Sequence, residues 1–249
     1  MGTAPILSVR NASVAFGAVH AVNNVSLELA PGERYGLIGT NGAGKTTLFN
    51  AITGEVSLTT GAIAFRGQDI SRVPTYARAR HGIARTFQTS LTFSDRTVRE
   101  NLLVAVTGCR GPHFGLRRWW RHRAHLQTVE ACAARFALDG VLDQPVATLS
   151  YGDQREVEIA MAFASNAALL LLDEPAAGMS PQSRRRLLGV LRELPRTVTM
   201  LFVEHDMDVA LSLADRISVM RDGVIVASGT PEQIRANTLV REIYLGRSQ

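Results

Sequence analysis

Lysine is almost absent from this chain: of 27 Lys plus Arg residues, only Lys45 is lysine. Cysteine is scarce as well. Two thiols, Cys109 and Cys132, are too few for a disulfide framework and lack the paired spacing of a metal site, so both are expected to be reduced and without chemistry. Long hydrophobic runs are missing: the longest purely apolar stretch, 167–172, is about a third of the roughly 20 residues that cross a bilayer, which excludes a membrane-spanning helix. The first residues, MGTAPILSVRNASVAF, have no basic segment followed by a sustained apolar one, so no secretory leader is expected and the cytosol is implied. Low-complexity tracts, internal repeats and linkers are also absent, and 249 residues with 46% hydrophobic and 20% charged content suit a single folded α/β domain.

The charge balance is basic, at +5, and the block RRWWRHR at 117–123 interleaves aromatics with base in a way that would suit nucleic acid or an anionic membrane surface. Charge alone is a weak warrant. The use of Arg in place of Lys throughout reads as a general feature of a solvated surface, and no nucleic-acid partner is expected.

Residues 5–10 and 25–30 read as short strands joined through a Gly17 turn, with Pro31-Gly32 closing the second. A buried strand at 35–38 runs into a glycine-rich loop and then a helix over 45–52. A strand at 62–65, bounded by Gly61 and Gly67, and an exposed helix at 76–81 extend this antiparallel edge. Helical patterns at 98–106 and 126–136 flank a Gly- and Arg-rich insertion at 108–125. Further on, helices at 156–164 and 181–194 alternate with buried strands at 168–172 and 198–203. A last hairpin at 216–220 and 224–228, turning at Asp222-Gly223, is expected to close the fold. Strand and helix in alternation predict an α/β fold with a mixed, mostly parallel sheet flanked by helices.

Gly39-Thr40-Asn41-Gly42-Ala43-Gly44-Lys45-Thr46 matches GxxxxGK[ST], between a strand and a helix as that pattern requires. Its glycines let successive backbone N–H groups converge on phosphate oxygens, the helix N-terminus adds partial positive charge, and Lys45 brings a mobile ammonium. Thr46 is the expected Mg2+ ligand, with Thr47 beside it. A chance match arises in about one per cent of chains of this length, and the only lysine falling by accident at this position is about a one-in-27 event. A compact point charge is what the site needs and a planar guanidinium does not supply. ATP with Mg2+ is the expected ligand.

The run Leu169-Leu170-Leu171-Leu172-Asp173-Glu174-Pro175 is a buried strand that delivers two acids at its carboxyl end, where ligands of open α/β sheets gather. Asp173 is the expected metal ligand, directly or through water. Glu174 is the expected general base toward the attacking water.

About 20 residues upstream, Leu149-Ser150-Tyr151-Gly152-Asp153-Gln154 resembles the LSGGQ signature of the ABC ATP-binding cassettes, and the resemblance extends over nearly the whole chain. It implies a P-loop NTPase fold of the ABC type with an antiparallel β subdomain and a helical subdomain. One domain, 1–249, would be built from a β edge and cradle core (1–86), a helical part ending in the signature (87–154), and a second core segment (155–249). By this resemblance Ser150 and Gly152 contact the phosphate held by a second subunit. Gln88 would reach Mg2+ or the lytic water, His205 the γ-phosphate, and Phe16 would stack on adenine. An isolated Gln would mean nothing, a lone His is more often a satisfied surface residue, and an aromatic near an edge strand is commonly core. Their order along the chain gives these residues meaning. The departures are Tyr151 for glycine, Asp153 for glutamine, and Ser180 at the end of 177–180, where many relatives carry Asp.

The stretches LSYGDQREVEIA, DEPAAGMSP, VEHDMDVA and SGTPEQIRANTLVREIYLG are most similar to LivG-type branched-chain amino acid import ATPases. That subgroup implies a head-to-tail pairing with an identical or homologous ATP-binding subunit, two transmembrane permease subunits, and indirectly a periplasmic or extracellular solute-binding protein. The location implied is peripheral, on the cytoplasmic face of the bacterial inner membrane. Importers of urea, amides or aromatic acids share the pattern. A soluble relative acting on nucleic acid or ribosomes is the rival from another class, but the long coiled-coil or metal-binding insertions and the second cassette of such proteins are missing. A non-catalytic regulator would not need Lys45, Asp173, Glu174 and His205 together.

Overall fold

The computed structural model describes residues 4–86, 92–108 and 123–245, and the chain divides into two compact units, one formed by 1–78 with 195–249 and the other by 79–194. Gln88, Cys109 and all of the RRWWRHR block except Arg123 lie outside the described residues.

In the first unit, β1 (Leu7–Phe16) and β2 (Val19–Leu29) form a long antiparallel pair. Both are longer than the expected strands, because the alternation of buried and exposed residues runs on to the Gly17 turn. β4 (Thr60–Phe65) and β5 (Gln68–Asp69) complete a four-stranded sheet in the order β2-β1-β4-β5. Gly61 lies within β4 rather than at its edge. A second, mixed sheet centres on β3 (Arg34–Gly39), which pairs in parallel with β8 (Thr199–Glu204) on one side and β9 (Arg216–Arg221) on the other. Every residue of β3 and β8 is buried, as expected of strands covered on both faces. β10 (Val224–Gly229) pairs antiparallel with β9 through Asp222 and Gly223, both at positive φ, the geometry of a tight two-residue hairpin turn.

Helix α1 (Lys45–Thr53) follows β3, and α2 (Thr75–Arg80) follows the antiparallel sheet. The expectation of an exposed α2 fails at Arg78. Its guanidinium is buried and donates to the Ala51 and Ile52 carbonyls at the end of α1 and to those of Ser71 and Val73, satisfying acceptors that a helix terminus leaves open. The tail adds α7 (Met207–Leu213), α8 (Pro231–Ala236) and α9 (Thr238–Leu245).

The second unit pairs β6 (Ile83–Arg85) in parallel with the fully buried β7 (Leu169–Asp173). Its helices are α3 (Val98–Gly108), α4 (Arg123–Arg135), α5 (Tyr151–Ala164) and α6 (Pro181–Glu193). α5 packs against each of the other three and buries Val157, Ile159 and Ala160. Phe136, after α4, is fully buried and lies 5.8 Å from the Phe163 ring of α5, centroid to centroid, a favourable tilted arrangement. Cys132 is buried, its Sγ hydrogen donated to the Ala160 carbonyl, and burial pushes its thiol up to about 12. It is a packing residue.

Candidate nucleotide-binding and hydrolysis site

In the first unit the chain leaves β3 at Gly39 and enters α1 at Lys45. Gly44 has φ 97°, and a Cβ there would stand 2.1 Å from the Ala21 carbonyl oxygen. Gly39 is as constrained: a Cβ would lie 2.2 Å from the Met220 carbonyl oxygen. A side chain at either position therefore requires the backbone to move. Gly44 is also the N-cap residue of α1 and gives it no side-chain cap, so no side chain of that residue competes for the first amides of the helix. Lys45, only 5% exposed, folds its Nζ back onto the carbonyls of Gly39 and Thr40, at 2.8 and 2.9 Å. Ala43 is buried, Asn41, Gly42 and Thr46 are exposed, and Thr47 is half-buried.

The parallel register pairs Ile38 with Glu204. The cradle and His205 consequently leave the same carboxyl-terminal edge of the sheet, the edge where α/β proteins gather ligands. His205 is exposed there, followed by Asp206, whose carboxylate accepts from the Asp208 and Val209 amides and caps α7. Phe16 ends β1 opposite Val19 and is 55% exposed, so it is not core.

In the second unit Asp173 ends β7 completely buried. Its Oδ2 accepts from Arg85 Nη2 at 3.1 Å, its backbone N–H donates to Thr86 Oγ1, and its Oδ1 has no hydrogen-bond partner. Burial raises its pKa, a rise that the Arg85 guanidinium opposes without cancelling. A buried carboxylate oxygen left open is a suitable hard ligand for Mg2+. Among the described residues no group of three or more His, Cys, Asp or Glu could hold a metal by itself.

Glu174 follows at φ 48°, a left-handed conformation that is strained for a side chain of its size. Arg155 of α5 fixes the backbone around it: Nη2 donates to the carbonyls of Asp173 (2.6 Å) and Glu174 (3.3 Å), while Nη1 pairs with Glu158 at 2.6 Å. Sequence reasoning missed Arg155 and Arg85, because both act by position and neither stands out among many arginines.

The signature residues form the N-terminus of α5. Ser150 is the N-cap, its Oγ accepting from the Asp153 amide at 3.3 Å and donating to Asp153 Oδ2 at 2.6 Å. Gly152 is closely packed: a Cβ there would lie 2.9 Å from Ser183 Oγ, so a side chain at this position would oblige Ser183 to shift. Tyr151, 57% exposed, lays its ring beside Gly178 and its hydroxyl near the Ala177 carbonyl, so the departure from glycine is absorbed by the 177–180 turn. Ser180 serves as the N-cap of α6 through the Ser183 amide, a role an Asp would fill equally well. Each unit thus assembles its own part of the predicted set: Gly39–Thr47, Phe16 and His205 in the first, Ser150, Gly152, Asp173 and Glu174 in the second.

A strand-loop-helix phosphate cradle, an acid-tipped buried strand and a serine-capped signature helix define an ATP-hydrolysing cassette. The chain belongs to the ABC transporter family, whose model matches residues 22–177. A second model, described as the branched-chain amino acid ATP-binding cassette transporter, matches residues 224–248. The chain is similar to the high-affinity branched-chain amino acid transport ATP-binding protein LivG of Escherichia coli K12, at 41% identity over 98% of this chain and 99% of that one. BraF of Pseudomonas aeruginosa is 38% identical over 98% and 99%. Among solved structures, the ADP conformation of MJ1267, an ATP-binding cassette of an ABC transporter, superposes with a TM-score of 0.87 at 30% identity, covering 98% of this chain and all of that one. The chain is accordingly an ABC importer ATPase subunit, and the expected α/β cassette fold holds.

Proposed function

We propose that this chain powers the uptake of branched-chain amino acids through a membrane permease, as one of two ATP-binding subunits paired head to tail. The observation that carries the solute class is the match over 224–248, because that tail lies outside the segment matched to the ABC family at large. No helix among the described residues is long and apolar enough to cross a membrane, so the permease subunits must supply the path. A location at the cytoplasmic face follows from the need to reach both ATP and the permease, and the solute-binding protein acts across the membrane without touching this chain.

In this reading the cradle and Lys45 hold the β- and γ-phosphates, and Phe16 stacks on adenine. Thr46 would offer its hydroxyl and Asp173 its open carboxylate oxygen as hard ligands to Mg2+, which would neutralise phosphate charge when bound. Glu174 accepts a proton from the attacking water and His205 contacts the γ-phosphate. Ser150 and Gly152 complete the site of the second subunit with a hydroxyl, an amide and a helix dipole. Gln88 retains the role its family position implies, toward Mg2+ or water and, through the segment after it, toward the permease. Reconstitution tests the proposal: ATPase activity should rise with the permease present and rise further with solute-loaded binding protein, with leucine, isoleucine or valine entering vesicles. Stimulation by DNA or ribosomes instead, with none by the permease, would refute it.

A further inference from the structure

Asp153 stands in the signature where the family pattern has a neutral glutamine, which places a carboxylate beside the hydroxyl that must meet a triphosphate. Like charges at close quarters oppose binding in a partly desolvated interface. In this structure neither oxygen of that carboxylate is left open: Oδ2 takes the Ser150 hydroxyl at 2.6 Å, and Oδ1 takes the Nη2 group of Arg186 from α6. The same guanidinium donates Nε to Glu156 Oε1 at 2.8 Å, so it bridges two acids spaced i, i+3 on one face of α5. Glu156 is wholly buried and keeps its other oxygen without a hydrogen bond. Ser150, Asp153, Gln182, Ser183 and Arg186 line one cavity of about 330 Å³. Apart from Asp153, every side chain on that list carries a hydrogen-bond donor.

We infer that Arg186 is a positioning residue for the signature: it covers the charge of Asp153, so that the Ser150 hydroxyl, which donates to Oδ2 in the unpaired chain, can turn with the amides of the α5 N-terminus to the phosphate of the second subunit's ATP. The inference rests on the head-to-tail pairing proposed above. Arg186 replaces by charge what the usual glutamine provides by neutrality, and its need should vanish once residue 153 is neutral. A merely structural arginine, serving Glu156, would be needed whatever residue 153 is.

The test uses the Glu174→Gln chain, in which ATP is held without turnover, and reads ATP-dependent pairing by light scattering during a titration with Mg-ATP. Arg186→Gln retains a donor for Glu156 while removing the cation, and it should raise the ATP concentration for half-maximal pairing by about tenfold or more. Binding of a fluorescent ATP analogue to the unpaired chain should be unchanged, because the cradle is untouched. Adding Asp153→Gln should restore pairing to within about twofold of the Asp153→Gln chain alone. Arg186→Ala, which strands Glu156, should lower the melting temperature with either Asp or Gln at 153, yet impair pairing only with Asp. The inference is overturned if Arg186→Gln pairs normally, or if its loss persists after Asp153→Gln. Failure of the Glu174→Gln chain to pair at all, with Asp153 and Arg186 intact, refutes the pairing itself and the inference with it.

Discussion

The cradle and the signature turn both present a helix N-terminus to phosphate, yet they are built differently. The cradle is made of backbone: Gly39 and Gly44 are locked against the carbonyls of Met220 and Ala21, and the loop's own carbonyls hold Lys45. It matches its pattern at every position. The signature turn adds side chains to its amides, and there two departures coexist with neighbours that accommodate them: Tyr151 leans on Gly178, and Asp153 is held by Arg186. A backbone-built anion site has no spare coordinate with which to absorb a substitution, whereas a side-chain-built one can move the missing property to a residue some 30 positions away.

That contrast can be broken by mutation. Glu174→Gln, which spares both turns, should bind ATP normally but lower turnover by roughly 10² to 10⁴, read as steady-state phosphate release; a loss under tenfold would remove Glu174 from the base role. In the cradle, Gly44→Ala should weaken nucleotide binding by on the order of a hundredfold, because a left-handed φ and a 2.1 Å approach to a carbonyl must both be relieved. Isothermal titration with ATP checks this. Lys45→Ala should cost roughly 10- to 150-fold in the same assay, the worth of a charge-assisted bond of about 1.5 to 3 kcal/mol. The smallest effect belongs to the signature side: Ser180→Ala removes the α6 cap and should lower stability by about 1 kcal/mol in a denaturant titration, with nucleotide affinity unchanged. A cradle that tolerated Gly44→Ala while Ser180→Ala abolished binding would invert the comparison.

The cradle was legible in the sequence because backbone sites need particular residues at fixed spacing. The same holds for Asp173 and Glu174, whose strand is a run of leucines ended by two acids. What escaped was contact-made. The burial of Arg78 was invisible because its partners, the Ala51 and Ile52 carbonyls, lie 27 and 26 residues away. Arg155, Arg85 and Arg186 were hidden in a chain where almost every cation is arginine. The tail helices α8 and α9 were missed, since the hairpin was expected to close the fold, although a signal for α8 was present: Thr230-Pro231-Glu232-Gln233 forms a capping box with proline in the first turn, the mark of a helix start. α5 begins at Tyr151 rather than 156 for a similar reason, since Ser150 accepts from the Asp153 amide.

The most direct measurement sets Lys45→Ala against Ser150→Ala, comparing ATP affinity of the unpaired chain with ATP-dependent pairing in the Glu174→Gln background. The account predicts that Lys45→Ala loses both, whereas Ser150→Ala keeps the affinity and loses the pairing. Equal loss of affinity in the unpaired chain from both substitutions, with folding intact, would contradict it.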